Sequence, residues 1–130
     1  MNLAAETGTL EDRAAELALA RAMGATVLAT GVVNLVAPKA VAHFFGSFER
    51  PRALLLAIAV RDLVTGTGLL LSRNPAPWLR VRAVADVADF ALAAANAVAN
   101  RPARERTATG LLMAAGAIVA DLALARRLEP

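Results

Sequence analysis

Cysteine, tyrosine and glutamine are missing from this chain; lysine and histidine occur once each and serine twice. Without cysteine there is no disulfide, no thiol nucleophile and no thiolate metal ligand, and the redox compartment stays open. The lone histidine, His43, has no His, Cys or Glu partner at metal-ligand spacing. Ser47 and Ser72 stand in no nucleophile-elbow setting. The single lysine, Lys39, the absent glutamine and the lack of any glutamate between Arg50 and Asn100 have a joint consequence. They remove the broad polar face that each helix of a water-soluble bundle presents. Thirteen arginines and Lys39 against eleven acids leave only a small basic excess. It is spread through several segments and forms no basic stripe, so no nucleic-acid partner is expected. The pI near 11.0 reflects arginine without tyrosine or cysteine to titrate, not a binding surface.

What remains is apolar. Hydrophobic residues make up 58% of the 130, against about 45–50% in soluble domains. Mean hydropathy is +0.53, although alanine carries much of the percentage. The length suits one domain. Four apolar segments, 10–36, 52–72, 78–100 and 107–127, are separated by punctuated connections. Thr9 caps the first, with Asp12 three residues on, and Pro38 closes it. Pro51 suits a first helical turn. All four reach the roughly 20 residues that a bilayer crossing needs. Strand-like alternation and internal repeats are absent. Short connections between helices favour antiparallel neighbours. The expected fold is therefore all-α, an up-down antiparallel four-helix bundle spanning a membrane, with an acidic tail at 1–9 and one domain at 10–128.

The N-terminal stretch, "MNLAAETGTLEDRAAE", holds four acids and one base, unlike the basic start of a secretory signal. With both termini on one side, six basic residues fall on either side, so the positive-inside rule ties. The acidic tail then favours termini in the cytoplasm of a multi-pass cell-membrane protein. In the loop "PKAVAHFFGSFER", Phe44, Phe45 and Phe48 fit either an amphipathic turn in the interface or a fold over the bundle end. Trp78 fits an interfacial aromatic or an ordinary buried one.

Each segment also carries charge. In 54–71, Arg61 and Asp62 cost about 5–7 kcal/mol at a span centre, against roughly 3–6 kcal/mol returned by seven leucines, one isoleucine and two valines. Insertion is marginal alone and needs partners from neighbouring helices. Counting depth from the termini, Arg21, Arg61, Asp62, Arg82, Asp86, Asp89 and Asp121 fall in the middle or in the near half of the spans. Arg82, Asp86, Asp89, Ala93, Asn96 and Asn100 form one stripe at 4-3-4-3-4 spacing. Gly110, Ala114, Ala117 and Asp121 share another face, and Arg21, Gly24, Leu28 and Gly31 a third. Adjacent helical residues point about 100° apart, so Arg61 and Asp62 are not expected to neutralise each other. Arg61 is expected to meet Asp89 or Asp86, Asp62 to meet Arg21 or an adjacent helix face, and Arg82 to hold Asp86. One carboxylate is then left over.

This polar layer reads either as a structural ion-pair network fixing helix order or as a ligand, proton or substrate site. "DVAD" at 86–89 is a weak metal signal beside two arginines, so neither metal nor cofactor is expected. "TGTG" lies inside an apolar helix, where close packing explains Gly66 and Gly68 better than phosphate binding.

The segments "RAMG" (21–24), "RDLVTG" (61–66) and "RAVADVAD" (82–89) resemble a group of small four-helix integral membrane proteins of bacteria and fungi, classed as domains of unknown function. The resemblance covers residues 15–125. It implies a membrane bundle and brings no activity with it. Three functions follow as expectations. The first is a non-catalytic membrane subunit binding a second copy or another membrane protein through small-residue faces. The second is a membrane-embedded enzyme or carrier for an apolar small molecule, using the aspartates and Arg61. The third is a soluble alanine-rich interaction bundle.

Overall fold

The computed structural model describes residues 3–44, 51–99 and 104–129, and the fold is all-helical. The described helices are α1 (Leu3–Val36), α2 (Pro38–Phe44), α3 (Arg52–Leu71), α4 (Ala76–Ala99) and α5 (Arg104–Arg127). Helix α1 begins at Leu3, not at Thr9 as the capping signal suggests. A cap residue marks a possible start, but it does not end a run of helix formers such as the "LAAE" that precedes it.

Proline and asparagine set the breaks. Pro38 has no N–H to continue α1, so the chain pivots at Ala37, whose carbonyl accepts from Ala40 and Val41 as α2 begins. The first part of the phenylalanine-rich loop, 38–44, is helical; Phe45 and Phe48 lie outside the described residues. Between α3 and α4 the turn is built from side chains. The Ser72 hydroxyl donates to the Asn74 carbonyl at 2.7 Å and accepts from its N–H at 3.1 Å. Asn74 Oδ1 then accepts from the Ala76 N–H at 3.3 Å, capping α4 two residues earlier than expected.

The helices pair unevenly. Helix α1 lies along α3, and α4 along α5, while the two pairs touch each other much less. Along α1 the buried positions are Ala20, Gly24, Val27, Gly31 and Asn34, a 4-3-4-3 stripe. The stripe meets α3 in an antiparallel register: Gly24 opposes Gly66 and Leu69, and Gly31 opposes Ala59 and Leu63. A Cβ on Gly66 would stand 2.7 Å from the Leu28 nitrogen, and one on Gly24 would stand 2.8 Å from Leu69 Cβ. The backbones are as close as glycine allows. Gly68 is likewise covered by the Trp78 ring, which leaves no room for a Cβ. Trp78 is half-buried there, against the apolar cluster.

That cluster, Ala20, Leu69, Ala76, Leu79, Leu124, Ala125 and Leu128, joins all four long helices at the end bearing the termini. Around it the packing is inverted relative to a soluble domain. Small residues fill the inside, while Val60 and Val64 of α3, Val84 and Val87 of α4, and Leu112 and Val119 of α5 are exposed. Among the described residues three helices are long and apolar enough to cross a membrane: Thr9–Val36, Arg52–Leu71 and Thr107–Arg127. Helix α4 is not among them, because Arg80, Arg82, Asp86 and Asp89 crowd its N-terminal and middle turns.

Gly66→Ala is expected to force α1 and α3 apart and to cost about 1–3 kcal/mol, as overpacking does. Gly116→Ala, where a Cβ meets nothing within 4 Å, is expected to be neutral or stabilising. Thermal unfolding in detergent micelles measures both.

Candidate functional site

Beyond the apolar cluster a partly open cavity of about 280 Å³ lies between the two helix pairs. Its walls come from every described helix: Val27 and Asn34 of α1, Val41 of α2, Ile58 of α3, Ala93 of α4, Met113 and Ala117 of α5. Thr26 and Thr30 also line it, but their hydroxyls donate to the carbonyls of Ala22 and Thr26, one turn back. One side of the cavity is charged, and Arg61, Asp62, Arg82, Asp86 and Asp89 all reach it.

The charged groups are linked through the two arginines. Arg61 Nε and Nη2 donate to Asp62 Oδ1 at 3.0 and 2.7 Å, and Nη2 lies 2.9 Å from Asp89 Oδ2 on α4. Arg82 Nη1 donates across to Asp121 Oδ1 on α5 at 3.2 Å, while its Nε stands 3.7 Å from Asp86 Oδ2, a looser contact within α4. Arg61 therefore ties α3 to α4, and Arg82 ties α4 to α5. Asp121 is fully buried, and its second oxygen, like Oδ2 of Asp86, has no hydrogen-bond partner. Such groups are costly and rare in native interiors.

Three sequence expectations change. Arg61 and Asp62 do pair: their Cβ directions diverge, but the arginine side chain is long enough to curl back onto its neighbour. Asp62 does not meet Arg21. Arg21 is exposed, because it stands one residue beyond Ala20 and so about 100° off the buried stripe. Gly24 and Gly31 of the expected Arg21 face are buried against α3 and Leu28 also meets it, so that face departs from the expectation at Arg21. Without Arg21 the cluster holds two guanidiniums against four carboxylates, a formal surplus of two negative charges rather than one. The expected pairing of Arg61 with Asp89 is present, and Arg82 divides itself between Asp86 and Asp121.

Other expectations meet the geometry as follows. Gly110, Ala114 and Ala117 line the cavity, as does Ala93; Asn100 lies outside the described residues. Among the described residues no group of three or more His, Cys, Asp or Glu is placed to hold a metal ion. His43 is exposed on α2. The exposed pairs Arg80–Glu129 and Arg127–Glu16 lie at the terminal end, away from the cavity, where such pairs contribute little.

Asn34 was missed. It is 7% exposed, lines the cavity and makes no hydrogen bond among the described residues. The signal was present: Asn34 continues the Gly24, Val27, Gly31 spacing and is the one amide on that stripe. Attention to charge passed over it. Compared with protein-family models, with curated proteins and with solved structures, the chain matches none.

Arg82→Met strips the partner from buried Asp121 and is expected to cost about 3–5 kcal/mol, the usual range for breaking a buried pair from one side. Adding Asp121→Asn to it should recover a large part of that loss. Unfolding midpoints of the two single variants and the double variant give the coupling; simple additivity would mean that the pair does not interact.

Proposed function

We propose that this chain is a small multi-pass membrane protein whose helices α1, α3, α4 and α5 cross the bilayer as an up-down four-helix bundle, and that its cavity binds a small amphipathic molecule. The observation that carries the reading is the cavity itself, bounded on one side by an incompletely paired charge cluster and elsewhere mainly by apolar and small side chains. A purely structural network, closed and fully paired, would leave no such space.

The membrane half of the reading rests on the inverted packing. Large apolar side chains on the outside are unfavourable in water, where each buried methylene is worth about 0.8 kcal/mol. Against lipid tails they cost nothing, and small residues let the helices approach. Helix α4 fits the same scheme despite its composition. Arg82, Asp86 and Asp89 turn to the cavity, while Val81, Val84 and Val87 face outward. Its hydropathy is low because its charges are interior, where partners and polar space are available. Arg61 and Asp62 lie about ten residues, or roughly 15 Å, from the end of α3, near the centre of a hydrocarbon core about 30 Å thick. A partner-binding or structural role asks for no cavity, and the carrier or enzyme reading needs one. The cavity therefore favours small-molecule binding over the subunit role that the sequence puts first.

The natural chain has no cysteine, so each introduced one reports alone. In carbonate-washed membranes, Ala93→Cys in the cavity and Lys39→Cys on α2 are expected to react with a small water-soluble methanethiosulfonate. Val84→Cys, on the outward face, is expected to stay unreactive, because a thiol in lipid does not form the thiolate. A silent Ala93→Cys would remove the open cavity. A reactive Val84→Cys, or loss of the chain into the carbonate wash, would remove the membrane.

A further inference from the structure

The charge cluster is acid-rich, and nothing among the described residues balances it. Arg61 commits Nε and Nη2 to Asp62 and shares Nη2 with Asp89; Arg82 is divided between Asp121 and Asp86. The next basic residue on α1, Arg21, is exposed and does not line the cavity. Two buried oxygens, one each on Asp86 and Asp121, are left without a donor. In a low-dielectric interior an uncompensated charge is expensive, so a surplus of two carboxylates is relieved either by protons or by positive charge from outside the chain.

A second observation marks the other end of the site. Asn34, more than nine-tenths buried and without a hydrogen bond among the described residues, lines the same cavity. Gly31 lies opposite Ala59 and Leu63, which bracket Arg61. Asn34 therefore sits about one helical turn beyond the level of Arg61 and Asp89, and about two turns, roughly 10 Å, from Asp86. The cavity thus offers carboxylates toward one end and an unused amide toward the other, with the apolar Val27, Ile58 and Ala93 also on its wall. No metal-ligating group of three is present among the described residues.

We propose that the cavity takes an organic cation, a protonated amine on an apolar body, with the ammonium beside Asp86 and Asp89 and the body lying along the apolar wall toward Asn34. This rests on the reading of the chain as a membrane-embedded binding protein and names the chemical class of its ligand. An ammonium supplies three donors and one positive charge. Beside Asp86 and Asp89, which both line the cavity, it offsets half of the charge surplus through charge-assisted hydrogen bonds about twice as strong as neutral ones; Asp121, fully buried and off the cavity wall, is outside its reach. A carboxylate ligand would add to the surplus, and an alcohol would leave it unchanged.

The test uses the full chain in lipid nanodiscs and three probes of one length: n-octylammonium, n-octanol and n-octanoate. The unfolding midpoint is followed against probe concentration. Octylammonium is expected to bind about tenfold or more tightly than octanol, with octanoate weaker still, and Asp86→Asn is expected to abolish the difference. If octylammonium and octanol bind equally, the cavity reading stands and the cation proposal falls; preference for octanoate also overturns it. If no probe binds, both fall. Stabilisation by acid or by magnesium without a response to octylammonium assigns the surplus charge to protons or metal and overturns the proposal. Where Asp86→Asn does not fold, the ranking of the three probes on the native chain decides.

Discussion

Two guanidiniums serving four carboxylates is the constraint on which the architecture turns. Arg61 is the link between helix pairs that otherwise meet tightly only at the terminal end, and Arg82 ties α4 to α5 within the second pair. Each bridges from one helix to the next and must be satisfied on both sides. The pairs are therefore held at the separation that the side chains dictate, and the space left between them is the cavity. Replacing the cluster with close-packed alanine and leucine would let the pairs collapse together. Its charges, expensive to bury, are what keep the interior open and polar.

The remaining helical contacts follow a different logic. Helices α1 and α3 are joined through Gly24, Gly31 and Gly66 at near-backbone contact, with no charge between their facing stripes except Asp62 at its edge. Such an interface is stiff, because a displacement of a fraction of an ångström brings Gly66 against Leu28. The molecule thus combines a rigid pair, α1 with α3, and a second pair, α4 with α5, connected to it by an apolar cluster at one end and by the Arg61–Asp89 bridge above. Entry of a ligand would act on the softer of these junctions, the one between the pairs.

Much of this was legible in the residues. The helix ends at Val36 and Leu71 follow from proline and from the Ser72–Asn74 turn, and the 4-3 spacing of Arg82, Asp86 and Asp89 put them on one side of α4. The phase of α1 was not legible. Arg21 and Ala20 are neighbours, and only contact with α3 decides that the stripe runs through Ala20 and carries Asn34 rather than Arg21. Nor was the curl of Arg61 onto Asp62, since helical angles fix Cβ directions and not the reach of a guanidinium. The cavity depends on the unequal packing of the helix pairs, a tertiary property that periodicity along one helix does not encode. One missing arginine raised the expected charge surplus from one to two, and with it shifted the reading from a closed network to an open one.

The most direct test of that open, acid-rich layer is an experimental structure of the chain in lipid, read at the space between the helix pairs. The account predicts Arg61 bridging Asp62 and Asp89, Arg82 reaching Asp121, Arg21 outside the cluster, and non-protein density against Asp86 and Asp89. Helix pairs closed on one another, with all four aspartates paired to protein donors and no space beside Asn34, would contradict it.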